Sequence, residues 1–130
     1  MNRDQVIEEL KSLVNDRIAI SKKAMDGIQE AINSESKSTA GDKHDTSREL
    51  LQQERNKAAQ NLDQLIRMKS VFGKLDQVKG NSKVGFGSLM KTDLGWIFIG
   101  LPLGKVNLQS GEELICISAV SPMAKNLMSE

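Results

Sequence analysis

The stretch NSESKSTAGDKHDT, residues 33–46, decides how the N-terminal half of this 130-residue chain folds. It holds no large apolar side chain, and Ser, Asn, Gly and Asp favour turns because they compete for the backbone hydrogen bonds of a helix. The segments before and after it both carry apolar residues at helical spacing. Two helices joined by a short polar connection favour an antiparallel arrangement, so the sequence predicts a helical hairpin whose tip is residues 34–46.

The apolar residues on each side of the tip recur three, four or seven positions apart, which places each series along one side of a helix. The first series, in a helix predicted over residues 3–33, consists of Ile7, Leu10, Val14, Ile18, Met25, Ile28 and Ile32. The second, in a helix predicted over residues 46–73, consists of Leu51, Ala58, Leu62, Leu65 and Phe72. We expect the two stripes to pack together as an antiparallel coiled coil with arms of roughly 45 Å. Two helices of an ordinary bundle are the alternative.

Glycine marks a change of structure near residue 73. Only Gly27 and Gly41 precede that position among the ten glycines, and both prolines follow it. Glycine is costly inside helices and useful in turns and bulged strands, so a helical first half should give way to short strands. The predicted domains are therefore a hairpin over residues 1–73, a polar linker over 74–82 and a small β domain over 83–130.

The β domain is predicted to be a small antiparallel sheet followed by a short helix. The sequence KVGFGSLMKTDLGWIFIG, residues 83–100, has the pattern of a β-hairpin, and ELICISAV, residues 113–120, has that of a further strand. Ser121 then offers an N-cap and Pro122 a first helical residue. The fold class is α+β, and so small a β domain should depend on the hairpin for support.

Composition and charge exclude several classes of function. The 18 basic and 17 acidic residues give a net charge of +1 without a basic stripe, which disfavours autonomous binding of DNA or RNA. The single cysteine, Cys116, and the single histidine, His44, cannot form an internal disulfide or a zinc site of the usual Cys and His ligands. No apolar run has the length of a signal peptide or a membrane span, so we expect a cytoplasmic protein that does not bind membranes.

Two short motifs resemble the bacterial Gre transcript-cleavage factors. At the tip, residues 41–46 read GDKHDT, and the family motif is Gly-Asp, two variable residues, Glu and Asn. Gly41 and Asp42 match it, while Asp45 and Thr46 stand in place of Glu and Asn. Near the C-terminus, VSPMAKNL at residues 120–127 is similar to the family's Ser-Pro-Ile-Ala-Arg-x-Leu segment. The resemblance implies that the β domain has an FKBP-like fold, shortened relative to the family.

The resemblance also implies a transcription elongation factor that is not itself an enzyme. Gre-like factors insert their coiled coil into the secondary channel of RNA polymerase after backtracking and stimulate cleavage at the extruded RNA 3′ end. Two-metal hydrolysis needs a second magnesium ion, which polymerase holds weakly. Magnesium prefers hard oxygen ligands, so Asp42 and Asp45 would supply them to an ion shared with polymerase. No cofactor is expected on the chain alone, and we expect a monomer.

Other residues of the two motifs are secondary candidates. Around the two carboxylates, the tip comprises Gly41, Lys43, His44 and Thr46. The residues expected to contact polymerase are Ser121, Pro122 and Lys125. Both carboxylates also have a structural interpretation, Asp42 as the N-cap of the second helix and Asp45 as a first-turn charge that favours the helix dipole.

Two other functions fit the same sequence. The protein could enter the polymerase channel and regulate transcription without stimulating cleavage, or it could be a coiled-coil adaptor or oligomerisation protein unrelated to polymerase. An autonomous hydrolase is disfavoured because Ser121 has no His–Asp setting and Cys116 has no partner base in the sequence.

Overall fold

The structure is a computed structural model that describes residues 1–37, 43–78 and 83–129, with the side chains of residues 35–37 and 43–46 outside the description. Two long helices, α1 (Arg3–Lys37) and α2 (Lys43–Gln77), precede the strands. The strands are β1 (Leu89–Thr92), β2 (Gly95–Ile99), β3 (Gly104–Asn107) and β4 (Glu113–Ile117), and the last element is α3 (Pro122–Met128). The α+β class predicted from the sequence is confirmed. Both long helices extend beyond their predicted ends, and α2 includes residues 74–77 of the predicted linker.

None of the helices in these described ranges combines the length and the apolar character that a membrane crossing requires.

The chain divides into two compact units, which we name by their content. The hairpin unit is Leu13–Arg67, and the sheet unit is Met1–Ser12 together with Met68–Glu130. The first turns of α1 and the last turns of α2 therefore belong with the strands. The domain limits derived from the sequence stay a prediction, and residues 79–82 of the predicted linker lie outside the described part of the chain.

In the hairpin unit the two helices pack through the predicted apolar stripes. The buried members of the stripes are Val14, Ile18, Ile32 and Leu65. The half-buried members are Met25, Ile28, Leu51, Ala58 and Leu62. Arg55 on α2 reaches α1, where its Nε donates a hydrogen bond of 2.9 Å to Gln29 Oε1. The described residues thus form a helical hairpin, as the polar tip predicts.

The sheet is mixed, so the prediction of an antiparallel sheet is wrong. The strand order is β1-β2-β4-β3, with β1–β2 and β3–β4 antiparallel and β2–β4 parallel. The chain leaves β2, crosses to the far edge to form β3, and returns as β4 beside β2. The signal for β3 was missed because three of its four residues are exposed and only Val106 is buried. Without β3, nothing in the sequence shows that β2 and β4 run in the same direction.

Both faces of the sheet contribute to the core of the sheet unit. Ile97 and Ile99 on β2 pack with Ala124 of α3, since side chains two residues apart lie on one face of a strand. Phe98 between them is fully buried on the opposite face. A Cβ at Gly100 would lie 3.2 Å from Phe98 Cε1 and 3.3 Å from Leu75 Cδ2, so this second face meets the last turns of α2.

Arg3 joins three segments of the sheet unit through backbone carbonyl groups. Its Nε donates to the Gly87 carbonyl at 2.8 Å, and its Nη2 donates to the carbonyls of Val78 and Leu75 at 2.9 and 3.3 Å. The Leu75 and Val78 carbonyls lie at the C-terminal end of α2, where a cation is favoured by the helix dipole. The guanidinium therefore holds the start of α1, the end of α2 and the segment before β1 together.

Candidate functional site

The predicted tip site falls mostly outside the described residues. Gly41 and Asp42 are not among them. The backbones of Lys43, His44, Asp45 and Thr46 begin α2, so Asp45 lies in the first helical turn, but their side chains lie outside the description. The roles of Asp42 and Asp45 as ligands of a shared magnesium ion therefore stay predictions.

The C-terminal motif is described, and its serine caps α3 as predicted. Ser121 has extended backbone dihedral angles of φ −70° and ψ 153°, and Pro122 follows it at the start of the helix. The Ser121 Oγ accepts a hydrogen bond of 3.2 Å from the Ala124 amide and donates one of 2.7 Å to the Ser118 carbonyl. Because its hydroxyl is engaged in both directions, Ser121 shapes the motif rather than presenting a free nucleophile.

The cap orients α3 so that two of its faces differ in exposure. Ala124 is fully buried against the sheet and Leu127 is half-buried, whereas Pro122 and Lys125 are exposed. The motif therefore presents a positive charge and a proline ring to solvent. Contact of Ser121, Pro122 and Lys125 with polymerase stays a prediction.

Sequence reasoning missed an acidic cleft within the sheet unit. This cleft has a volume of about 580 Å³ and lies between the first turns of α1 and the β3–β4 turn. Its carboxylates are Asp4, Glu8, Glu9 and Glu112. The Glu9 Oε1 accepts a hydrogen bond of 3.0 Å from the Gln109 amide, which fixes one wall of the cleft against the other. No sequence pattern pointed to it, because the two walls are about a hundred residues apart and each reads as a solvated polar segment.

An ion pair between Lys11 and Asp76 links α1 to α2 in the sheet unit. Lys11 Nζ lies 3.2 Å from Asp76 Oδ2 and 3.4 Å from Glu8 Oε1. The hydrogen bond to Asp76 raises the pKa of Lys11 above its usual value, and the charges of Asp76 and Glu8 add to this shift. Glu8 and Asp76 are exposed and Lys11 is half-buried, so this is a structural ion pair of modest strength.

The described part of the chain covers residues 1–37, 43–78 and 83–129. Within these ranges, no group of three or more His, Cys, Asp or Glu side chains is arranged to hold a metal ion. Cys116 is buried in β4, and the half-buried Trp96 lies in β2. Neither residue is part of a described cluster of acids, bases and nucleophiles.

Comparisons with known proteins leave the family open. No family model, curated protein or solved structure matches this chain. The functional assignment therefore depends on the two sequence motifs and on the elements that carry them.

Proposed function

We propose that this protein is an accessory transcription factor that enters the secondary channel of RNA polymerase with its helical hairpin and stimulates cleavage of backtracked transcripts. The observation that carries the proposal is the order of elements. A long helical hairpin comes first, with the Gly-Asp motif between its two helices, and a small sheet with a Ser-Pro-capped helix follows. The proposal is supported by the order along the chain, in which the Gly-Asp motif lies between two long helices and the Ser-Pro segment follows the strands.

The dimensions of the hairpin support this use. Each long helix has 35 residues, which corresponds to about 50 Å at 1.5 Å per residue. In α1 of the hairpin unit, the buried and half-buried seam positions are 14, 18, 21, 25, 28 and 32. Alternating steps of four and three are the spacing of a coiled coil, so we propose that the hairpin is an antiparallel coiled coil.

The sheet unit supports the proposal through its C-terminal motif. Pro122 and Lys125 are exposed beside the Ser121 cap, so they are available to a partner protein. We propose that this region adopts a shortened FKBP-like arrangement and contacts the rim of the channel. In this proposal the exposed ammonium of Lys125 pairs with an acidic group of polymerase.

At the tip, the proposed role of this chain is to donate carboxylate oxygens. Polymerase supplies the active site and the RNA, and magnesium supplies Lewis-acid chemistry when it is bound there. Asp42 and Asp45 are hard oxygen donors of the type that magnesium prefers. Delivery on a folded helical hairpin would hold these groups in place before the reaction, which is how positioning lowers a barrier.

Channel binding without cleavage is a second candidate, and the tip residues favour it in one respect. Asp45 stands where the Gre motif has Glu, so its carboxylate reaches one methylene less far. Thr46 stands where the motif has Asn. A tip of this kind could occupy the channel while placing its oxygens too far from the ion.

The test is an RNA cleavage assay on backtracked elongation complexes with magnesium. The full chain should release short 3′ fragments, Asp42→Asn should abolish the release, and polymerase binding should persist. Asp26→Asn removes an exposed carboxylate elsewhere on the hairpin and should leave cleavage unchanged. Binding without any cleavage by the unmodified chain would favour the channel-binding regulator, and absence of binding would overturn the polymerase assignment.

A further inference from the structure

The two units differ sharply in how well their apolar side chains are buried. Among the described residues, nine of the ten largest fully buried side chains belong to the sheet unit, and Val14 alone belongs to the hairpin unit. The nine are Val6, Leu10, Leu75, Ile97, Phe98, Ile99, Leu101, Leu114 and Cys116. Burial of apolar area is the main favourable term in folding, so it is concentrated in the sheet unit.

The seam of the hairpin unit is correspondingly weak. Met25, Ile28 and Leu62 are only half-buried at seam positions. Ser21 occupies another seam position, where it is 7% exposed and contributes a hydroxyl group instead of an apolar side chain. Ile20 is 69% exposed and adds nothing to the seam.

The described polar contacts between segments are part-buried at Arg3 in the sheet unit and exposed at Arg55 in the hairpin unit. The sheet unit is held by the three hydrogen bonds of Arg3 to carbonyl groups and by the hydrogen bond from Gln109 to Glu9, besides the strand ladders. In the hairpin unit, the described hydrogen bond between the helices joins Arg55 and Gln29, and it is exposed to water. An exposed hydrogen bond adds little net stability, because water competes for both groups.

We propose that the hairpin unit opens as a cooperative unit of its own while the sheet unit, including its turns of α1 and α2, stays folded. Long helices owe most of their stability to tertiary packing, and regions with few buried apolar contacts open at a lower free energy than the core. The opening therefore stops inside both helices, near residues 12–13 and 67–68. This inference concerns the chain alone and does not depend on the proposed function.

Two glycines provide a matched pair of probes, one in each unit. Gly27 lies inside α1 in the hairpin unit, and Gly73 lies inside α2 in the sheet unit. Both are exposed, and a Cβ added at either position would meet no heavy atom within 4 Å. Alanine at such a position favours the helix because it lowers the entropy lost on folding. Each substitution should therefore stabilise the unit that contains it without disturbing the packing.

The test is native-state hydrogen exchange of the full chain, read by mass spectrometry under conditions where the opening equilibrium limits exchange. In the unmodified protein, amides of residues 13–34 and 47–67 should exchange at least about tenfold faster than those of residues 68–77 and 95–99, after correction for intrinsic rates. Gly73→Ala should slow exchange in the sheet unit by about two- to fivefold and leave the hairpin unit unchanged.

Gly27→Ala should slow exchange in both units. The sheet unit exchanges through complete unfolding, which also unfolds the hairpin unit, so stabilising the hairpin unit raises the free energy of that step. This asymmetry between the two substitutions is the signature of separate opening. Equal exchange in the two units of the unmodified protein would overturn the proposal. So would equal slowing of both units by Gly73→Ala, since that result means the chain opens as one unit.

Discussion

At the level of single residues, Arg3 connects separate segments of the sheet unit. One guanidinium satisfies three carbonyl groups that come from two different segments of the chain. The planar fork of arginine suits this task, whereas an ammonium group offers its donors from a single point. Nothing in the sequence around Arg3 predicted the role, because its partners are more than seventy positions away.

Arg3→Ala should lower the free energy of unfolding by about 2 kcal/mol, since hydrogen bonds to a charged group are lost and the carbonyls are left without that donor. Arg3→Lys should recover only part of this loss. The comparison is urea unfolding of both variants beside Arg17→Ala, a substitution at an exposed arginine on the same helix that should change stability by less than about 0.5 kcal/mol. Equal effects of Arg3→Ala and Arg17→Ala would contradict the role assigned to Arg3.

A substitution of Asp45 tests whether the reach of its carboxylate limits transcript cleavage. Asp45→Glu restores the longer carboxylate of the Gre motif, so we expect transcript cleavage to increase by several-fold while affinity for polymerase stays the same. The measurement is the rate of 3′ fragment release from backtracked complexes at saturating protein. A rate that falls or does not change would show that the reach of this carboxylate does not limit the reaction.

At the scale of elements, the capping of α3 is both predictable and testable. Ser121 and Pro122 predicted the start of this helix from the sequence. In the structure, the Ser121 Oγ accepts a hydrogen bond from the Ala124 amide. Ser121→Ala should lower stability by about 1 kcal/mol, and Ser121→Asp should retain most of it. Thermal unfolding measures both, with the exposed Ser12→Ala as the control. If Ser121→Ala is no more damaging than Ser12→Ala, the cap is not a stabilising contact.

Elements with a strong local pattern were predictable, and those fixed by distant contacts were not. The apolar stripes of α1 and α2 and the β1–β2 hairpin around Gly95, where φ is +112°, follow from spacing and turn chemistry. In contrast, β3 contributes one buried side chain, Val106, so its sequence resembles a loop. The parallel pairing of β2 with β4 depends on where β3 lies, and local pattern carries no such information.

The candidate functional residues likewise include some that could be predicted from the sequence and some that could not. The Ser121 cap could be predicted because its partner is three residues away, whereas the acidic cleft could not, because Glu9 and Gln109 are a hundred positions apart. The roles of Asp42 and Asp45 came from a resemblance of motifs. Asp42 and the side chain of Asp45 lie outside the described part of the structure, so their roles stay predictions.

At the scale of the whole molecule, the helical hairpin within one chain predicts a monomer. The described members of each apolar stripe are buried or half-buried within the single chain, so we expect that no second copy is needed to cover them. Static light scattering should give a mass of 14.3 kDa across the micromolar range. A mass of two or more chains would favour the adaptor or oligomerisation protein instead.

In the proposed complex, the tip of this hairpin reaches the RNA 3′ end inside polymerase. The most direct measurement uses a backtracked elongation complex whose RNA carries a photoreactive 4-thiouridine at its 3′ end, irradiated with the full chain bound. We expect a crosslink from the RNA to this protein that maps to residues 38–48. A crosslink confined to residues 83–129, or none from a complex shown to contain the protein, would contradict it.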